Sequence, residues 1–257
     1  MVIITTLKIY LINKYLISLA YIALLSSHSL QAANDKLNVS VPSFAPFNAF
    51  VENSGCSGAS VMAVQKTIEN LNVELKFVNY PYARILYSLK TAELDLALIF
   101  KNTAIEDDAD YIGPLSYSKI VVVSHIDNTI DNYDDLYTLK NIAVIRNAQF
   151  EETFDQDRKL NKANVDSYQQ AVKMLKHGRV DAVIGSLIGI EYALHQQNMN
   201  NDIISKAFHL GSKEWGLHLS KKSKHIKLKP SLIKAVKKNY QEDLIHQLYE
   251  QQIQNCI

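Results

Sequence analysis

The sequence predicts an α/β fold built as two lobes joined by two hinge crossings. Three observations predict it. A helix–turn–strand unit occurs twice, 86 residues apart; strands and helices alternate from Leu37 to Phe100; and the composition is globular, 47% apolar and 21% charged over 257 residues. Eight Gly and five Pro exclude collagen-like and broadly disordered classes. The length admits one large domain or two modest ones.

The first element is an address rather than part of the fold. Residues 1–32 hold Lys8 and Lys14, no acid, and the apolar run Tyr15–Leu25, followed by a polar patch and Ala32-Ala33. A basic start, an apolar run of 11 and a small-residue boundary are the parts of a secretory signal. The run is short for a spanning helix, which needs ~20 residues. The rival is an uncleaved anchor that enlists Met1–Asn13. Export would place Cys56 and Cys256 in an oxidising compartment, where two thiols usually pair; the alternative is two separate thiols.

Next come the strands and helices. Leu37–Val41 alternates as a strand does and stops at Pro42; Ser60–Leu71 has apolar residues at helical spacing. Val73–Val78 reads as a second strand, Ala83–Lys90 as a helix and Leu94–Phe100 as a nearly continuous apolar strand. That order is parallel α/β. Arg84–Leu98 then aligns without gaps on Gln170–Ile184, with Leu89-Lys90 on Leu175-Lys176 and Asp95 on Asp181. The strand Asn141–Ile145, leading to a helix near Gln149, repeats the upstream partner. Two copies of one unit argue for two similar lobes, against a chance likeness of two common units.

The remaining strands read as connectors. Lys119–Ser124 leaves the first unit, Trp215–Ser220 returns from the second, and helices Pro230–Tyr240 and Glu242–Gln252 end the chain. The expected organisation is a signal over 1–32, the first part of lobe 1 over 33–120, lobe 2 over 121–214, and over 215–257 a return strand and helices completing lobe 1. A cleft between hinged lobes is a preferred small-molecule site.

Several function classes fall away. A net charge of +1, from 27 basic and 26 acidic residues, leaves no footprint for nucleic acid. There is no Gly-x-Ser-x-Gly and no Gly-rich phosphate loop. The histidines after residue 32 lack zinc-site spacing, and Glu106, Asp107, Asp108 and Asp110 lack a calcium-loop pattern. No cofactor, metal or catalytic residue is expected.

The order of Leu37–Phe47, Gly58, Tyr80-Pro81-Tyr82-Ala83-Arg84, Leu89-x5-Asp95, Asp110–Tyr117, Val144-x-Arg146, Gly178–Val183 and Leu217–Lys222 resembles the family 3 extracytoplasmic solute-binding proteins. The resemblance covers nearly the whole chain after the signal. It implies the bilobed periplasmic-binding-protein (venus flytrap) fold, a periplasmic location, and capture of a small polar solute, amino-acid-like or anionic, for an ABC importer's membrane subunits or for a sensor protein. A monomer is expected. It also includes rare catalytic members, so a lyase or dehydratase using Glu106, Glu191 or His218 is the runner-up, and a structural or interaction protein a third reading.

The family's charged anchors do not carry over. Its ligand-gripping Arg has no counterpart in Lys101–Asp108, and Ser186 stands where its acid for the ligand ammonium would. A Ser cannot neutralise an ammonium. Candidate replacements are Arg84, whose fork could clamp a carboxylate, and Arg146, between a strand end and a helix start that could seat an anion. Lys101, Asn102 and Thr103 follow a strand's C-terminal end, where open α/β sheets bind ligands. Phe44, Phe47, Tyr80, Tyr82, Phe100, Tyr117 and Trp215 are candidate ring walls, against the alternative of core or hinge packing.

Overall fold

The structure is a computed structural model that describes residues 36–49, 56–199 and 203–256, with side chains through Ile253. The expected signal, residues 1–32, and the side chain of Cys256 lie outside the described residues.

One eight-stranded mixed sheet organises the chain, in the order β2-β1-β3-β8-β4-β7-β5-β6. Its first half pairs β1 (Lys36–Ser40) in parallel with β2 (Glu74–Phe77) and β3 (Leu96–Phe100), joined by helices α1 (Ala59–Ile68) and α2 (Tyr82–Lys90). The second half pairs β5 (Ile142–Ile145) in parallel with β6 (Lys162–Val165) and β7 (Ala182–Ser186), with α3 (Glu152–Gln156), α4 (Tyr168–Lys176) and α5 (Leu187–Gln196) between and after them. β3, β5 and β7 are buried along their whole length, as befits strands covered on both faces.

Two long antiparallel strands join the halves. β4 (Ala109–Ser124) and β8 (Phe208–Ser220) pair from Ala109↔Ser220 to Val122↔Phe208. Their outer flanks pair with β7 and β3 respectively. Both strands are longer than the sequence predicts, by ten residues at the start of β4 and seven at the start of β8. The ladder absorbs Gly113 and Pro114 in register shifts at Tyr111/Gly113 and Pro114/Ser116. Strand β6 and helix α5 were also not legible, and the last helix, α7 (Leu244–Cys256), begins two residues later than expected. It packs with α6 (Lys229–Asn239) on α1 and β4, on the first half of the sheet.

The repeat is exact in structure. Helix α2 maps onto α4, and β3 onto β7, each shifted by 86 residues. The recurring Asp is structural. Asp95 Oδ2 accepts from Asn38 N at 2.9 Å, and Asp181 Oδ2 accepts from Asn141 N at 2.9 Å, so each carboxylate ties the start of its strand to a parallel neighbour. The turn before each Asp needs a left-handed residue, Ala92 at φ 57° and Gly178 at φ 63°.

Candidate functional site

Rings from both halves converge on one small cavity. Pro42 and Phe44 follow β1, Phe100 ends β3, and Phe47, Tyr82 and Trp215 complete the wall from the first half; Ile145, Ala148, Phe150 and Tyr168 close it from the second. Local backbone chemistry sets these positions. The Phe47 carbonyl accepts from Ser60 N at 3.0 Å, on the first turn of α1, which pins the loop carrying its ring to the helix. Tyr82 and Tyr168 each open a helix of the repeated unit. Gly185 and Gly189 leave the room Tyr168 fills: a Cβ on either would stand 2.1 or 2.4 Å from its ring.

The rings fill the space they enclose. Trp215 lies 4.2 Å from Phe100 and 4.9 Å from Phe47, centroid to centroid. Across the two halves Phe44 meets Tyr168 edge-on at 5.2 Å, and Phe100 meets Phe150 at 6.2 Å. What remains is about 10 Å³, the lower limit for one water. A wider groove of about 670 Å³ shares Ile145, Ala148 and Phe150 with this cavity and runs outward between Leu86, Tyr87 and Lys90 on one side and Phe154, Asp155 and Lys162 on the other. There burial raises the Asp155 carboxyl to about 6, with the Phe150 N–H at 2.9 Å acting against the rise.

Polar groups rim the cavity. Asn102 Nδ2 donates to Asn147 O at 3.0 Å, Thr103 N donates to Gln149 Oε1 at 2.9 Å, and Gln169 Nε2 donates to Ala45 O at 3.1 Å. All three bonds link the two halves. Tyr82 Oη and Trp215 Nε1 are buried without a hydrogen-bond partner; Asn102 lies beside the Tyr82 phenol, outside bonding geometry. Burial raises that phenol well above its ordinary value.

The other expected residues stand elsewhere. Arg84 is exposed, bonded to Glu93 Oε2 at 2.6 Å and lying 5.0 Å from the Tyr87 ring, while Tyr80 Oη donates to Glu93 Oε1 at 2.6 Å. Neither lines the cavity. Arg146 is exposed beside Asp166 at 3.3 Å. The helix after it is short and begins at Glu152, with Glu151, Glu152 and Asp155 around its start, so no positive helix end faces Arg146. Ser186 sits behind the rings, where its N–H donates to Tyr168 Oη at 2.9 Å. Tyr117 is at the hinge. With Tyr111 it donates from β4 to the Glu214 carboxylate on β8, at 2.9 and 2.7 Å. Burial pushes Glu214 up, but these donors and Lys101 leave it below the usual carboxylate range.

Of the enzyme candidates, Glu106 is exposed on a turn and Glu191 lies on α5. His218 is buried in β8, its Nδ1 3.0 Å from Gly216 O. None lines the cavity. Among the described residues no cluster of His, Cys, Asp or Glu has a metal-holding arrangement. Phe150 and Tyr168 were missed in the sequence. The signal for Tyr168 was present, because the 86-residue shift carries Tyr82 onto it.

A cavity at strand ends, walled by two half-sheets that are joined by two crossing strands, defines a two-lobed binding protein of the venus-flytrap class. Residues 37–254 match the bacterial extracellular solute-binding proteins, family 3, and the chain belongs to that family. It is 27% identical over 148 residues to the probable amino-acid-binding protein YxeM of Bacillus subtilis, a match spanning 55% of each chain. It is 26% identical over 170 residues to ABC transporter arginine-binding protein 1 of Escherichia coli, spanning 63% of this chain and 68% of that one. Among solved structures it resembles the L-arginine-bound amino acid ABC transporter substrate-binding protein AbpA of Streptococcus pneumoniae, with TM-score 0.70, 20% identity and coverage of 88% and 97%. The BvgS VFT2 domain of Bordetella pertussis gives TM-score 0.69 at 21% identity over 86% and 94%.

Proposed function

We propose that this chain captures a small solute between its two lobes in the periplasm and does not alter it chemically. Its signal would be residues 1–32, with lobe 1 formed by 33–120 and 215–257 and lobe 2 by 121–214. Among the described residues no helix is long and apolar enough to cross a membrane. The partner reading the closed shape is an ABC importer's membrane subunits, or a sensor protein, and the binding unit is a monomer.

The observation that carries the reading is the wall itself: aromatic rings contributed by both lobes, with Trp215 Nε1 buried unpaired among them. Such a site takes a flat apolar or cationic body that carries a hydrogen-bond acceptor for Trp215 Nε1. Arginine, bound by several structural relatives, is the first compound to test. Its guanidinium suits the ring faces, whereas its carboxylate meets no cation in the cavity wall. Turnover is not expected, because the wall carries no carboxylate, imidazole, amine or thiol.

A thermal-shift screen of residues 33–257, refolded to strip carried-over molecules, tests the reading. Amino acids, amines, flat heterocycles, dicarboxylates and sugars form the library. A ligand at ~100 times its Kd adds ~2.7 kcal/mol, a midpoint rise of at least ~2 °C for a chain this size. A hit confined to flat or cationic compounds supports the reading. Shifts produced by dicarboxylates alone, or by nothing in the library, would overturn the solute class.

A further inference from the structure

We propose that Asp155 sets the specificity of the solute site: the groove it lines seats an elongate solute by a cationic end, an alkylammonium or guanidinium, and offers no seat for a carboxylate. The inference deepens the solute-capture reading and rests on it.

The ring-lined cavity keeps about 10 Å³, whereas the groove continuous with it, about 670 Å³, has the size of a small-molecule site. Leu86, Ile105, Val144 and Phe154 give that groove apolar walls, suited to a hydrocarbon body. Three charged side chains line it: Lys90, Lys162 and Asp155. Both cations are already engaged. Lys90 Nζ lies 3.5 Å from Asp108 Oδ2, and Lys162 Nζ donates to the backbone carbonyls of Phe154 and Asp155. Asp155 is different. Its two oxygens share the Phe150 N–H, at 2.9 and 3.2 Å, and its carboxylate makes no other hydrogen bond among the described residues. Lys213 and Lys162 act on it through charge alone. A carboxylate has about four acceptor positions, so most of its capacity is unused. Burial makes its charge costly, which raises the carboxyl to about 6, and a solute cation beside it offsets that cost. A solute carboxylate entering the groove would meet this like charge and no unengaged cation.

The test is calorimetric titration of the exported protein, refolded to strip bound molecules, alongside the thermal-shift screen. The probes are agmatine, cadaverine, L-arginine, and L-citrulline, whose side-chain end is uncharged. Agmatine, which is arginine without its carboxylate, should bind at least as tightly as L-arginine, and L-citrulline should not bind. Asp155→Asn keeps an oxygen for the Phe150 N–H and should weaken agmatine by about tenfold or more. The pH profile gives a readout that a merely structural Asp155 would not move. Protonation below about 6 removes the charge, so agmatine should bind about tenfold more weakly at pH 5 than at pH 7.5. The titratable groups facing Asp155 are Glu151 on its own segment, Lys162 on β6, Lys213 on β8 and the Tyr82 phenol of α2. Asp155→Asn retains all four, so a profile it flattens belongs to Asp155. If circular dichroism shows that Asp155→Asn does not fold, the wild-type pH profile and the agmatine-to-arginine order decide. Agmatine binding that the variant and pH leave unchanged overturns the inference, as does tight binding confined to L-arginine or to solutes without a cation; each leaves the binding role standing. Binding in no class removes both.

Discussion

Tyr82 and Tyr168 stand 86 residues apart, open corresponding helices of an internal repeat, and bring their rings to one cavity from opposite halves of the sheet. Their hydroxyls have opposite fates. Tyr168 Oη accepts from the Ser186 N–H at 2.9 Å, whereas Tyr82 Oη is buried without a partner.

That asymmetry predicts different costs for one chemical change. Tyr168→Phe strands a buried backbone N–H and should lower stability by ~1–3 kcal/mol. Tyr82→Phe removes an unpaired hydroxyl and should change stability by less than ~0.5 kcal/mol or raise it. Urea unfolding of both variants checks this; equal losses would contradict the bonding seen here.

The repeat makes a second prediction at its turn. Ala92 and Gly178 occupy the same left-handed position, where an L side chain is strained by ~1–2 kcal/mol. Ala92→Gly should therefore stabilise the protein by ~0.5–1 kcal/mol, since glycine's extra unfolded-state freedom offsets part of the relief. Gly178→Ala should destabilise it by a similar amount, although nothing within 4 Å would clash with the added Cβ. Thermal midpoints moving in opposite directions would confirm both.

His218 supplies a pH dependence. Burial lowers its pKa to about 4, so the native imidazole stays neutral while the unfolded one protonates near 6.5. Between those values the unfolded chain binds the extra proton, and stability falls as pH drops from about 6.5 to about 4, by ~3 kcal/mol from this group. Asp155, raised to about 6, acts in the opposite sense over most of that window. Imidazole NMR isolates the histidine: its signal should remain that of the neutral ring at pH 5, and a midpoint near 6.5 would refute the burial argument.

Cys56 is disulfide-bonded, and the chain has one other cysteine, Cys256. A bridge between them closes a loop of about 200 residues and, on chain-entropy grounds, contributes at most ~5 kcal/mol. Reduction should lower the unfolding free energy by ~2–5 kcal/mol. Mass analysis without reductant should find no thiol open to alkylation; two alkylated thiols would exclude the bridge.

The sequence alone determined the repeated unit, because helix and strand periodicity and the paired Asp95 and Asp181 are local signals that survive without tertiary context. It likewise determined the parallel strands and a resemblance that reaches from Leu37 to Lys222. Tertiary structure decided the rest. Bulges let β4 run through Gly113 and Pro114, which strand interiors disfavour. Arg84 and Arg146 were candidate anchors by type and position, yet in the fold they are exposed and paired with Glu93 and Asp166, and which acid a surface Arg meets depends on how the turns between them fold. Phe47, Tyr82, Phe100 and Trp215 could each have been ordinary core. Only the meeting of the two halves made them, with Phe150 and Tyr168, the wall of one cavity, because a cavity is a property of surfaces brought together and not of any segment that contributes to it.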